Sequence, residues 1–104
     1  MPHTPGLKHA AIGQRWTLNK NGVTPAWPHG NPQYKKAQEN LNTFMDNIAY
    51  YGCPPAEAAA PFDADCKVLQ GDLYQIRLTQ SERATFRVNK AMRTVTMHQV
   101  GGHT

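Results

Sequence analysis

The side chains best suited to chemistry occupy alternate positions of three short stretches near the end of the chain. Across 73–79, Tyr74, Ile76 and Leu78 point one way, while Gln75, Arg77 and Thr79 point the other. Across 83–88, Arg83, Thr85 and Arg87 oppose Ala84, Phe86 and Val88; across 94–100, Thr96 and His98 oppose Val95 and Met97. His103 follows at the rim of the last strand. If the apolar side is covered, the other side exposes Gln75, Arg77, Arg83, Arg87 and His98. Three arginines and one or two histidines on one uncovered face can bind and polarise a phosphodiester. Such a set can cleave RNA without a metal: a base takes the proton of the ribose 2′-hydroxyl, arginines neutralise the phosphorane, and an acid protonates the leaving oxygen. Outward strand positions are polar in most half-buried sheets, so spacing alone leaves a plain solvated face as the alternative.

Other chemistries find little support. No G-x-G-x-x-G or P-loop is present, so no nucleotide cofactor is expected. Ser81 lacks the flanking glycines of a nucleophile elbow. His3, His9 and His29 stand in irregular N-terminal segments without metal-ligand spacing, and no metal site is expected. Cys53 and Cys66 are separated by a proline- and alanine-rich loop, with no C-x-x-C pair and no histidine between them. A disulfide closing that loop would be unusual in a reducing cytosol, and two inert thiols are the simpler expectation.

Charge narrows the partner. Residues 1–66 carry five basic and five acidic groups, whereas 67–104 carry six basic groups (Lys67, Arg77, Arg83, Arg87, Lys90, Arg93) against Asp72 and Glu82. The whole net charge of +4 therefore resides in the last 38 residues. A polyanion is the natural partner, with nucleic acid first among them. A charged fraction of only 17% argues against a disordered polyelectrolyte. No window approaches the ~18 consecutive apolar residues of a membrane span, and MPHTPGLKHAAIG lacks the apolar core of a signal peptide. A cytoplasmic protein is expected.

The elements that must hold these residues are also visible. The length of 104 residues suits one domain, 1–104, with 1–30 mostly irregular. Arg15–Leu18 can form a short strand with Trp16 and Leu18 on one face, followed by an Asn21-Gly22 turn and a loop anchored by Trp27. Asn31 is a good N-cap and Pro32 suits the first helical position. Ala37, Leu41, Phe44, Met45 and Ile48 then recur at helical spacing, and Gly52 with Pro54-Pro55 ends the helix. Residues 53–65 form a connection with room for one helical turn. The expected fold is α+β: an antiparallel sheet of about four strands packed on one main helix.

Residues 69–104 resemble the C-terminal half of the RelE/ParE toxin superfamily. The resemblance rests on Leu69–Gly71, the Tyr74–Leu78 strand, the Glu82–Val88 strand and the Val95–His103 segment, in the family's order and spacing. It implies a RelE-like fold and, in the ribonuclease branch, a toxin that cleaves RNA (mRNA on the ribosome, or tRNA) and is neutralised by a cognate antitoxin or immunity protein. By the same resemblance, Arg77 would hold the phosphate and Arg83 would sit over the scissile one. His103 would assist proton transfer, with Glu82 and His98 in reserve. Gln75 stands where some members have lysine; with Arg87 and Lys67 it would complete substrate binding. The branch that poisons gyrase shares the fold without these nuclease residues. A non-enzymatic RNA-binding module is the alternative of a different class.

Overall fold

In the computed structural model, which describes residues 13–101, the elements are β1 (Thr17–Asn19), a 3-10 turn (Pro32–Tyr34), α1 (Lys35–Ala49) and α2 (Pro55–Ala59). The strands β2 (Lys67–Gln70), β3 (Leu73–Arg77), β4 (Arg83–Asn89) and β5 (Thr94–Val100) follow. Five strands, rather than four, form one mixed sheet in the order β1-β5-β4-β3-β2. β2 to β5 pair antiparallel, but β1 runs parallel to β5, with Leu18 opposite Val95. The expectation of an all-antiparallel sheet is corrected here. The two helices and three strands between β1 and β5 return the chain to the free edge of β5 in the same direction.

The N-terminal third is tied to that edge twice. Asn21 and Gly22 both take positive φ (55° and 67°), making the turn their types favour. The chain then rejoins the end of β5 through a parallel bridge between Pro25 and Val100, where Ala26 N–H donates to the Val100 carbonyl at 2.9 Å. Trp27 is buried as expected. Gly101 closes β5 with φ of +95°, and a side chain there would come within 3.1 Å of Ala26.

The helix starts where its punctuation indicates, although its first turn is 3-10. The Asn31 side chain accepts from Gln33 N–H at 2.9 Å, and Pro32 occupies the first turn, where a missing N–H costs nothing. Ala37, Leu41, Phe44 and Ile48 are buried against the sheet, where Ile76, Ala84, Phe86, Val95 and Met97 complete the core. The Phe44 and Phe86 rings lie 5.0 Å apart, and Tyr74 stacks on Phe86 at 6.0 Å. Met45 is only half-buried. Asn47, placed off the apolar stripe by its type, is instead buried and donates to the Ala58 carbonyl at 3.2 Å, joining α1 to α2.

One irregularity in β5 matters for the site. Phe86 pairs with Met97, yet Thr85 pairs with Gln99, so His98 is an extra residue in a bulge. The bulge resets the alternation: Val100 faces the core although it lies three positions after Met97. No helix among the described residues is long and apolar enough to cross a membrane.

Candidate functional site

The sheet face opposite the helix presents the alternate residues singled out above. Two cross-strand rows organise it. One runs Lys67–Gln75–Thr85–Gln99, and the next places Arg77 directly opposite Arg83. Gln75 and Thr85 lie mid-sheet and are buried, whereas Lys67, Arg77 and Gln99 meet solvent. Lys67, Gln75, Arg77 and Arg83 line one cleft of about 540 Å³ with Leu69, Asp63 and Asp65.

Each charged group of the cleft is positioned by a different device. Arg83 folds back over its own turn, and its Nη1 donates to the carbonyls of Thr79 at 3.0 Å and Gln80 at 2.9 Å. These bonds fix the guanidinium plane. Arg77 N–H donates to Asp63 Oδ2 at 2.6 Å, while Asp63 Oδ1 accepts from Asp65 N–H at 2.9 Å. Asp63 thus ties the loop before β2 to the end of β3, beyond the last residue that β2 pairs. The connection at 53–65 carried no functional expectation, so both aspartates were missed. The signal was the Asp-Ala-Asp spacing just before a strand, which acquires meaning only once β2 is known to pair with β3.

The remaining predicted residues lie elsewhere. Arg87 shares the face but forms an ion pair with Asp72 at 2.6 Å, one row from the cleft. His98, in the bulge, has Nδ1 3.0 Å from Thr85 Oγ1 and does not line the cleft. Glu82 belongs to the β3–β4 turn, where its carbonyl accepts from Leu78 and Thr79 and its N–H donates to Thr79 Oγ1. His103 lies outside the described residues. The last described residue, Gly101, donates its N–H to the Arg83 carbonyl at 2.7 Å.

Burial and the adjacent Asp63 carboxylate push the Cys66 thiol up to about 11, so it stays protonated at neutral pH. Burial, with help from Glu57, also raises Cys53. Cys53 and Cys66 are not joined in a disulfide. A second recess of about 610 Å³ lies beside the start of α1. Its wall is the Trp27–Tyr34 stack, and the Trp27 indole N–H is already donated to Gln38 Oε1 at 3.0 Å. The charged cleft is therefore the stronger candidate. No protein-family model matches the chain, and no curated protein sequence matches it.

Proposed function

We propose that this protein is a toxin that cleaves RNA by metal-independent attack of the ribose 2′-hydroxyl, with its site in the Arg77–Arg83 cleft. The observation that carries this reading is the direct cross-strand pairing of the two arginines, with Lys67 in the same cleft. Like charges placed directly opposite on a sheet cost roughly 0.2–1 kcal/mol. A bound phosphate converts that cost into attraction, because each guanidinium can donate a fork of N–H bonds to its oxygens. Arg83 is held by backbone carbonyls before any substrate arrives, as a group awaiting charge in a transition state should be.

In this mechanism Arg77 and Lys67 hold the phosphate and Arg83 stabilises the phosphorane. His103 protonates the leaving oxygen. The products are a 2′,3′-cyclic phosphate and a 5′-hydroxyl. The resemblance to the RelE/ParE superfamily supports the toxin role and a RelE-like assignment of the fold. The toxin acts on RNA in the cytoplasm, and a cognate antitoxin or immunity protein would neutralise it by covering the cleft.

The test is to incubate purified protein, in EDTA, with free RNA and with mRNA on translating ribosomes. Fragments ending in cyclic phosphate are expected from one or both. Cleavage of neither substrate would overturn the proposal, and inhibition of gyrase supercoiling in the same preparation would replace it with the gyrase-directed reading.

A further inference from the structure

We infer that Asp65 is the general base of the cleft, the group that receives the 2′-hydroxyl proton; this rests on the ribonuclease reading above. Of the two cleft carboxylates, Asp63 is occupied. Each of its oxygens accepts a backbone N–H, one from Asp65 and one from Arg77. Asp65 is its complement. Its backbone is fixed by that bond, while its carboxylate is solvent-exposed and has no hydrogen-bond or ion-pair partner among the described residues. The residue lies two positions before Lys67, which pairs with Gln75 on the floor, and Asp63 clamps the same loop to Arg77.

The groups facing Asp65 explain why a carboxylate rather than another side chain would serve. Asp65 shares the cleft with Asp63 from its own loop, Lys67 and Leu69 from β2, Gln75 and Arg77 from β3, and Arg83 from β4. The three cations are donors only at neutral pH. A phosphate drawn to them brings its neighbouring ribose to the cleft wall, where Asp65 is the unengaged acceptor.

The step balances without a further reagent. The 2′-O–H bond breaks and its proton passes to the Asp65 carboxylate. The freed oxygen forms a bond to phosphorus, and the P–O5′ bond breaks. O5′ takes a proton from the acid of the site, for which His103 is the candidate. Asp65 then returns its proton to water.

Asp65→Asn separates this role from simple electrostatics. Removing an anion from a cleft with three cations should leave binding of a 2′-O-methyl oligoribonucleotide equal or tighter. A general base typically contributes 10²–10⁴-fold, so kcat on whichever RNA the wild type cleaves should fall at least about a hundredfold. Asp65→Glu should recover part of it. The thermal midpoint should not move, because no bond of the fold uses this carboxylate. Cleavage by Asp65→Asn at or above the wild-type rate would overturn the inference and leave the ribonuclease reading intact. A wild type that cleaves no RNA would overturn both. Loss of oligonucleotide binding together with activity would also refute the proton-transfer role.

Discussion

Replacing Arg83 by alanine removes a side chain whose structural and chemical contributions can be weighed separately. Structurally, it deletes two charge-assisted hydrogen bonds to the Thr79 and Gln80 carbonyls. At a partly exposed turn these contribute on the order of 1 kcal/mol each. The substitution also relieves the like-charge contact with Arg77, worth roughly 0.2–1 kcal/mol in the opposite direction. The net loss is about 1 kcal/mol, equivalent to ~5 °C in thermal midpoint for a domain of this size. Chemically, removal of one donor aimed at transition-state charge costs about 10²–10³ in rate, or ~2.7–4 kcal/mol. The activity loss should therefore far exceed the fold loss. Arg83→Lys sharpens the test. A lysine ammonium can satisfy the two turn carbonyls, but it then has no planar fork left for phosphate. It should restore most of the midpoint while leaving the cleavage rate at least about tenfold below wild type. The assay is single-turnover cleavage of an end-labelled RNA at saturating enzyme, beside a thermal melt of each variant. Arg83→Ala cleaving at the wild-type rate would refute the assignment. So would a rate that falls only in proportion to the unfolded fraction, because Arg83 would then be a turn staple alone.

Three further outcomes are expected. A chain ending at Gly102 should lose RNA cleavage while keeping its thermal midpoint, since His103 follows the closing residue of β5 by two positions; retained activity would remove His103 and make His98 the better histidine candidate. Asp63→Ala should lower stability by about 1–3 kcal/mol, because the backbone N–H groups of Asp65 and Arg77 lose a charged acceptor; an unchanged denaturant midpoint would show that the loop is held by something else. Cys66 has its thiol pushed from 9.0 up to about 11, so the unfolded chain releases that proton first. Its share of stability is complete below pH 9 and declines as pH rises toward 11; Cys66→Ala should flatten that part of the stability–pH curve, and an unaltered slope would exclude the thiol as its source.

Local periodicity carried much of this protein. The Asn31-Pro32 start of the helix, its buried residues Ala37, Leu41, Phe44 and Ile48, and the alternation that puts Arg77 and Arg83 opposite the core all follow from side-chain type and spacing. Cap chemistry and a period of two or 3.6 are properties of neighbouring residues, which is why a single sequence displays them. Trp27 was legible for a related reason, as a large apolar side chain in a polar loop that must find cover.

What tertiary structure decided is everything that depends on which strand lies beside which. β2 has no buried residue in its four positions, so Lys67–Gln70 shows no apolar alternation and only its pairing with β3 makes it a strand. Nothing in Thr17–Asn19 specifies that it runs parallel to a partner nearly eighty residues later. The bulge at His98 is a mismatch between two strands and is invisible in either alone. Asn47 is buried because α2 happens to offer a carbonyl to it. The acidic wall of the cleft has the same origin. Asp63 and Asp65 belong to a connection until Asp63 accepts the Arg77 N–H that β2 leaves unpaired. A backbone donor without a ladder partner must be satisfied by something, and the side chain that satisfies it brings its neighbour to the arginines.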